Sequence, residues 1–331
     1  MHAIRLHAYG PAENLRYEEV PDPVAGPGEV RISVAAAGVH VLDTALREGG
    51  TGPYPEPVPL PTVPGREVAG TVDAVGAGTD PSWLGKRVVA HLGMAPGGYA
   101  ERAVTTAERL HELPDGLGAD EAVAMIGTGR TALGILGYAE PGPDGIVIVT
   151  AAAGGLGTLI TQYAKHAGAT VVGLAGGPAK VAHVRANGAG LAVDYRQDDW
   201  AAQVRDFLGG RGATTVFDAV GGDTARAAVD LLGQGGHHVV YGWAGERLHD
   251  GEPLTYTEEE QAARGVTSEM ILGPRMMERG GGLRALEERA LREAAGGPLR
   301  PAVQRFPLAQ AAASHRALEN RGTIGKVVLV P

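Results

Sequence analysis

The chain has 331 residues, a formal net charge of −9, a hydrophobic content of 44% and a charged content of 20%. This length is enough for two globular domains with separate cores, and the acidic balance argues against general nucleic-acid binding, which needs a basic face. The sequence contains no cysteine, which excludes disulfides, a thiol nucleophile and cysteine-ligated zinc.

The first part of the chain, about 120 residues, is predicted to be rich in β-strands. Short runs such as "HAIRLHA", "GEVRISVAAAGV", "EVAGTVDAVGAG" and "KRVVAHL" are separated by Gly- and Pro-rich segments. This spacing favours a compact barrel-like domain over parallel βαβ units. The start has no long apolar core, and no apolar run approaches the roughly twenty residues that span a bilayer. We therefore expect a cytoplasmic protein without a membrane partner.

From about Met125 onward, apolar runs alternate with helix-length segments. Five runs have this spacing, "GIVIVTA", "ATVVGL", "LAVDY", "TTVFDAV" and "HHVVYGW", and "GVTSEMIL" could add a sixth strand. The alternation predicts a doubly wound parallel sheet with helices on both faces. The last run, "GKVVLV", has no helix after it and is expected to return to the first domain. We predict a β-rich domain at residues 1–123, completed by 273–331, and a nucleotide-binding domain at 124–272.

A glycine-rich loop joins the first two runs of the second domain. In the fingerprint G-x-G-x-x-G, the first glycine makes a tight turn, the second lets backbone approach a pyrophosphate, and the third lets the helix pack closely. Here these positions fall on Ala152, Gly154 and Gly157, with Gly155 and Leu156 between them. Amides at the start of the following helix would bind the pyrophosphate. The alternative is a purely structural turn.

The end of the second run indicates which dinucleotide binds. A fold that binds NAD usually has an acidic residue there for the ribose 2′-hydroxyl. This chain has small residues instead, at 175–177, and no acid lies between Ala151 and Asp194. Lys180 adds positive charge that a 2′-phosphate would favour, although alone it could be an ordinary surface lysine. The combination favours NADPH.

A metal site is not expected from the pattern of histidines. The eleven histidines form no H-x₃-H or H-E-x-x-H arrangement. His237 and His238 are adjacent and would point to opposite faces of a strand.

These segments together resemble the medium-chain dehydrogenase/reductase superfamily, and within it the zinc-free quinone oxidoreductase-like family. The most specific of them are "AAGVHVLDTALREGG", "PTVPGREVAGTVDAVGAG" and "VTAAAGGLGTLITQYAKHAGA". The resemblance implies an α/β protein with a GroES-like catalytic domain and a Rossmann domain, which transfers a hydride from NADPH to quinones or enones. Where the zinc-dependent branch has a cysteine and a G-H-E motif, this chain has His40 and Gly65-Arg66-Glu67, which implies a metal-free site.

The resemblance also implies roles for individual residues in cofactor binding. Lys180, Tyr195 and Arg321 match the positions that select NADPH, although Tyr195 alone could pack at a strand end and Arg321 alone could be a solvated charge. Thr131 matches a threonine that faces the cofactor. The full predicted cofactor-binding set is Thr131, Ala152, Gly154, Gly155, Leu156, Gly157, Lys180, Tyr195, Gly242 and Arg321.

Three residues of the first domain are predicted near the chemistry. Asp43 matches the family motif, and His40 replaces its asparagine, where it could hydrogen-bond or donate a proton. Tyr54 lies where relatives carry a tyrosine that lines the acceptor cleft. A surface or packing role is the alternative for His40 and Tyr54. Arg66 is expected to pair with Glu67 or another acid nearby.

Two other functions stay open, an enoyl-thioester reductase of lipid or polyketide assembly and a non-catalytic NADPH-binding protein. Relatives commonly form homodimers, and the run "GVTSEMIL" is expected at a sheet edge that could pair with a second copy. The alternative is a monomer in which a helix near 276–292 covers this edge.

Overall fold

The computed structural model describes residues 1–52, 54–245 and 252–331. The strands are β1 (His2–Leu6), β2 (Leu15–Glu19), β3 (Glu29–Val39), β4 (Glu67–Val75), β5 (Arg87–His91), β6 (Arg102–Thr106), β7 (Leu110–Glu112), β8 (Ile146–Val149), β9 (Thr170–Ala175), β10 (Leu191–Asp194), β11 (Ala213–Asp218), β12 (Leu232–Val240), β13 (Val266–Met270), β14 (Val303–Pro307) and β15 (Lys326–Val330). The helices are α1 (Val41–Arg47), α2 (Ala119–Ala124), α3 (Arg130–Leu136), α4 (Gly155–His166), α5 (Pro178–Ala186), α6 (Trp200–Leu208), α7 (Gly222–Val229), α8 (Glu258–Arg264), α9 (Pro274–Glu278), α10 (Leu283–Ala295) and α11 (Ala311–Glu319).

The chain forms two compact units. Unit 1 comprises Met1–Thr128, Ala290–Gly296 and Pro301–Pro331, and unit 2 comprises Gly129–Arg289 and Gly297–Arg300. The domain boundaries predicted from the sequence, 123/124 and 272/273, stay a prediction. The compact units differ from them chiefly at residues 273–289, which were predicted to belong to the first domain and lie in unit 2. This segment packs within unit 2, where the Tyr138 hydroxyl donates to the Arg275 carbonyl and Arg130 pairs with Glu287.

Unit 1 is built on a seven-stranded sheet in the order β14-β15-β3-β4-β5-β7, with β6 also paired to β3. Its pairs are antiparallel except that of β14 with β15, and β1 and β2 form a separate antiparallel pair. Ile32 of β3, Val68 of β4 and Val88 of β5 lie fully buried in the core of this unit. In the last run, Val328 lies opposite Gly38 of β3, which confirms that the C-terminal strand returns to the first domain.

Unit 2 is built on a parallel sheet in the order β10-β9-β8-β11-β12-β13. The chain runs outward from β8 to β10, then crosses to β11, β12 and β13, so the order reverses between β8 and β11. This order is typical of dinucleotide-binding sheets, which bind their ligand at the carboxyl ends of the strands beside that reversal. Both the doubly wound sheet and its sixth strand are thereby confirmed.

Helix α6 of unit 2 packs an apolar stripe against the sheet. Trp200, Val204 and Leu208 recur every four residues on α6 and are buried against the sheet. None of the helices in the described parts of the chain has both the length and the apolar character that a membrane crossing requires.

Candidate functional site

The glycine loop of unit 2 lies between β8 and α4. Gly154 is the N-cap of α4, and no side chain caps this end or places a carboxylate in the first turn, which begins with Gly155 and Leu156. A Cβ on Gly157 would lie 2.4 Å from the Ala151 carbonyl oxygen, so only glycine lets the helix approach the turn this closely. The first amides of α4 and the positive end of its dipole therefore suit an anionic group such as a pyrophosphate.

Ala152, at the first glycine position of the fingerprint, is buried and does not make the tight turn. Its N–H donates to the Leu174 carbonyl at 2.9 Å. The left-handed residue is Ala151, with φ of 47°, a conformation that costs an alanine about 1 kcal/mol. The tight turn is therefore present one residue earlier than the fingerprint spacing indicates.

A buried carboxylate at the end of β11, Asp218, joins the loops at this edge of the sheet, and the sequence analysis missed it. It accepts hydrogen bonds from Thr150 Oγ1 and from the Val220 N–H, each at 2.9 Å. Thr150 Oγ1 in turn accepts from the Ala219 N–H at 2.8 Å. Gly242 packs here too, since a Cβ on it would lie 3.2 Å from the Ala219 carbonyl oxygen. The available signal was "VFDAVGG", in which an acid ends an apolar strand before two glycines.

Two side chains that follow β10 cover the turn Gly176–Gly177 at the end of β9. A Cβ on Gly176 would lie 2.9 Å from the Tyr195 hydroxyl, and one on Gly177 would lie 2.5 Å from Nη2 of Arg196. Lys180 lies half-buried in the first turn of α5, which Gly177 begins as its N-cap. The structure thus brings two of the predicted 2′-phosphate residues, Tyr195 and Lys180, to the two sides of one turn.

Asp194, at the end of the neighbouring strand β10, brings a carboxylate to this turn. The sequence analysis looked for an acid only directly after β9 and therefore did not find it. The Asp194 carboxylate accepts from Arg196 Nε at 3.0 Å and Nη2 at 2.9 Å. The bond from Arg196, together with the Gly177 backbone N–H, lowers the pKa of Asp194 to about 2. The guanidinium of Arg196 is 57% exposed and balances this carboxylate, so the pair leaves the net charge of the turn unchanged; the sequence analysis missed both residues.

Two further predicted cofactor residues belong to other helices. Thr131 is half-buried in the first turn of α3. Arg321 belongs to unit 1, where it is exposed and follows the last turn of α11 with φ of 53°. Its N–H donates to the Leu318 carbonyl at 2.9 Å, and the Gly322 N–H donates to the Ala317 carbonyl at 2.7 Å. These bonds form a Schellman motif, in which glycine usually holds the position that Arg321 occupies.

His40 is the N-cap of α1 and its ring pairs with a buried acid. Its Nε2 lies 2.6 Å from Oε1 of Glu67, and Nζ of Lys326 lies 2.8 Å from Oε2. Burial raises the pKa of Glu67, but the charges of His40 and Lys326 outweigh it and hold this pKa well below its usual range. Gly38 and Gly127 provide the room, since a Cβ on them would lie 2.3 Å from Oε2 and 1.5 Å from Oε1. The catalytic role of His40 stays a prediction.

Asp43 is buried, and its carboxylate holds the start of α1 in place. It accepts from the His40 N–H at 2.8 Å and from the Tyr99 hydroxyl at 2.9 Å, and that hydroxyl lies 3.2 Å from His315 Nε2. Burial, reinforced by the charge of Asp43, raises the pKa of Tyr99 well above its usual range, and burial lowers the pKa of His315 to about 4. At neutral pH, the Tyr99 hydroxyl and the His315 ring beside this carboxylate are therefore both uncharged. This contact set indicates a positioning role for Asp43.

Tyr54 and Asp43 line one pocket in unit 1, together with Arg66. The half-buried Tyr54 donates its hydroxyl hydrogen to the Met94 carbonyl at 2.9 Å. Arg66 was expected to pair with a nearby acid. That acid is Asp43, whose Oδ1 lies 3.9 Å from Nε of Arg66. Two of the three predicted catalytic residues therefore share a pocket.

The residues at the position of the catalytic zinc in the zinc-dependent branch do not suit a divalent cation. One oxygen of Glu67 faces His40 and the other faces the ammonium group of Lys326, whose charge repels a metal ion. In the part of the chain that the structure describes, no three His, Asp or Glu side chains are grouped as metal ligands.

Two family models match the chain, "Alcohol dehydrogenase GroES-like domain" at residues 26–115 and "Zinc-binding dehydrogenase" at residues 155–275. A 2-haloacrylate reductase from Burkholderia sp is 33% identical over 98% of both chains. A quinone oxidoreductase from Pseudomonas aeruginosa is 32% identical over 99% of both. The solved quinone oxidoreductase of Escherichia coli, complexed with NADPH, is 28% identical over 100% of both chains with a TM-score of 0.84. These matches confirm the predicted α/β fold with its GroES-like part.

Proposed function

The chain belongs to the medium-chain dehydrogenase/reductase superfamily, in its quinone oxidoreductase-like family, and from this we propose that it is a zinc-independent, NADPH-dependent oxidoreductase. It would transfer a hydride to quinones or to the activated C=C bonds of enones. The observation that carries the proposal is the turn Gly176–Gly177. The side chains of Tyr195 and Arg196 occupy the space that a Cβ on each glycine would take, and Lys180 follows in the first turn of α5. Lys180 and Arg196 bring two positive charges to this turn against the single carboxylate of Asp194, and this excess of positive charge, with the phenol of Tyr195, suits a phosphate.

NADPH, when bound, supplies the hydride, and the chain supplies binding, orientation and protons. The acid-free first turn of α4, at Gly155–Gly157, would hold the pyrophosphate. The turn at Gly176–Gly177 would hold the adenosine 2′-phosphate through Lys180 and Tyr195, with Arg321 as a further ligand. The residues present fit such a group, because the first turn of α4 carries no acid and Lys180 and Arg196 bring positive charge to the turn at Gly177.

Tyr54 is the residue we propose as the proton donor to the reduced acceptor. It lies half-buried on a pocket wall with a hydroxyl group that is bonded only to the Met94 carbonyl among the described residues. The ring of His40, by contrast, faces buried Glu67 at 2.6 Å. Asp43 would act on the chemistry indirectly, by fixing the start of α1. Replacing Tyr54 with Phe should lower turnover while leaving NADPH affinity unchanged.

Zinc independence is proposed on the charges around Glu67. The ammonium group of Lys326 already neutralises this carboxylate and the ring of His40 contacts its other oxygen, so the position offers a divalent cation no free acid. Exhaustive chelation should leave activity and thermal stability unchanged. A metal present at one per chain and required for turnover would contradict this part of the proposal.

We also propose a homodimer that pairs two copies of β13. Within the described residues β13 pairs only with β12, and Ile271 N–H donates to the Val240 carbonyl at 2.9 Å. Since N–H groups alternate along a strand, that of Met270 faces the outer edge. The Ser268 N–H on this edge already donates to Gln261 at 2.8 Å, so only part of the edge is free to pair. Sedimentation should show a dimer, and Met270→Pro should yield a monomer; a wild-type monomer would contradict the pairing.

An NADPH-oxidation screen over small quinones, 2-alkenals, cyclic enones and enoyl-CoAs tests the function. Turnover of quinones or enones with NADPH in preference to NADH is expected. Turnover of enoyl-CoAs alone would favour an enoyl-thioester reductase, and tight NADPH binding without any turnover would favour a non-catalytic protein. Cytoplasmic residence stays a prediction, which cell fractionation would test.

A further inference from the structure

Arg66 is a buried cation on the wall of the pocket that Asp43 and Tyr54 line, and its side chain donates no hydrogen bond to any of the described residues. Its side chain is 10% exposed, and its one contact with an acid among the described residues is 3.9 Å long, from Nε to Asp43 Oδ1. This separation is too long for a hydrogen bond. Nε has no hydrogen-bond partner among the described residues. A buried charged donor without an acceptor is costly to the fold, which suggests a use outside it.

Arg47, on the same pocket, shows how the chain treats an arginine that serves the fold. Its Nη2 lies 2.6 Å from a carboxylate oxygen of Glu48 and 2.6 Å from one of Glu319. Its Nε donates to the Gly10 carbonyl at 2.8 Å. Two carboxylates therefore balance its charge, whereas Arg66 has no comparable set in the described part of the chain.

Two donors other than Arg66 already hold one oxygen of the Asp43 carboxylate. The His40 N–H and the Tyr99 hydroxyl both donate to Oδ2, at 2.8 Å and 2.9 Å. The backbone before Arg66 is also fixed, because Gly65 has φ of 88° and a Cβ on it would lie 2.2 Å from the Tyr99 ring. Arg66 is thus held in the pocket wall by its backbone, with its guanidinium hydrogens available to a ligand.

We propose that Arg66 binds the carboxylate of the acceptor, so that short α,β-unsaturated acids such as 2-haloacrylates are substrates of this chain. This inference rests on the proposed hydride-transfer function. A guanidinium presents paired N–H groups in one plane, which match the two oxygens of a carboxylate. Tyr54 lines the same pocket, so the remainder of a small acid would lie beside the proposed proton donor. Neutral quinones and enones would gain nothing from Arg66, and their turnover would not depend on it.

The test compares an acid with its neutral ester, using 2-chloropropionate and methyl 2-chloropropionate, which are already saturated and cannot be reduced. Calorimetric titration should show that the wild type binds the acid more tightly. Arg66→Met should raise the Kd for the acid by about 10- to 100-fold and leave the Kd for the ester unchanged. Arg66→Lys keeps the charge but not the paired donors and should fall between them. Arg16→Met, at an exposed arginine of β2, removes the same charge and should change neither affinity.

Equal affinity for acid and ester in the wild type, or an unchanged acid preference in Arg66→Met, would overturn the proposal. Thermal unfolding of each variant identifies any loss of fold, in which case Arg66→Lys carries the comparison. Turnover assays separate this inference from the proposed function. A wild type that reduces quinones but neither binds nor reduces the acids contradicts this inference alone, whereas a wild type that reduces no acceptor contradicts the proposed function.

Discussion

Replacing Arg321 with glycine should raise stability and weaken NADPH binding in the same variant. Arg321 has φ of 53° and occupies the left-handed position of a Schellman motif. A Cβ in this region costs about 1–2 kcal/mol, and the greater freedom of glycine in the unfolded chain offsets roughly 0.5–1 kcal/mol of that gain. We therefore expect Arg321→Gly to raise the free energy of unfolding by about 0.5–1 kcal/mol. Urea unfolding measures this change.

The same substitution removes the charge that we assign to the 2′-phosphate. Loss of one charge-assisted hydrogen bond should raise the Kd for NADPH by about 10- to 100-fold, with that for NADH little changed. Arg321→Ala is the matched control, because it removes the same charge but keeps the Cβ, so it should lose NADPH affinity without gaining stability. A less stable Arg321→Gly would refute the strain argument. Equal losses for the two cofactors would refute the phosphate assignment.

Three further substitutions test contacts that join distant parts of the sequence. Arg196→Ala should weaken NADPH about 10-fold relative to NADH in fluorescence titrations, whereas Arg205→Ala, the same charge change at an exposed site on α6, should have no effect. Lys326→Met leaves a buried carboxylate with one partner fewer and should cost about 3–5 kcal/mol in urea unfolding; an unchanged midpoint would contradict the pairing. The pKa of His315 is about 4 in the folded chain and 6.5 in the unfolded chain. The unfolded chain therefore binds a proton at higher pH than the folded chain does. The free energy of unfolding should fall by about 3 kcal/mol as the pH drops from 6.5 to 4. His315→Gln should remove that slope in pH-dependent unfolding, and an unaltered slope would assign it to another group.

The parallel sheet could be predicted from the sequence because its strands are buried on both faces. Residues 146–149 of β8, "IVIV", are fully buried, and such continuous apolar runs stand out against the helices between them. Two strands, β2 and β7, gave no such signal and were not among the predicted runs. β2 has two buried or half-buried residues in five, and β7 has only three residues.

The parts of the candidate site that consist of consecutive residues could be predicted from the sequence. The parts that depend on how strands pair in the sheet could not. The glycine loop and the lack of an acid after β9 were both readable from consecutive residues. Asp194 was missed because it reaches the turn from β10, where the parallel register sets it opposite Ala175. Lys326 and Glu67 likewise meet only because β15, β3 and β4 are neighbours in one sheet. Pairing the predicted strands in register would have brought the first of these contacts into view.

Backbone strain provides an independent argument for where the cofactor binds. In the described part of the chain, two non-glycine residues have positive φ, Ala151 at 47° and Arg321 at 53°. The first lies in the turn before α4, and the second is a predicted 2′-phosphate ligand. Left-handed positions elsewhere are held by glycine, so the sequence generally avoids this cost. Strain of this kind persists chiefly at functional sites, and here it occurs in the two segments that we propose to bind the pyrophosphate and the 2′-phosphate. If Ala151 is strained for the same reason, Ala151→Gly should raise stability as Arg321→Gly does, but without removing any charge from the cofactor site.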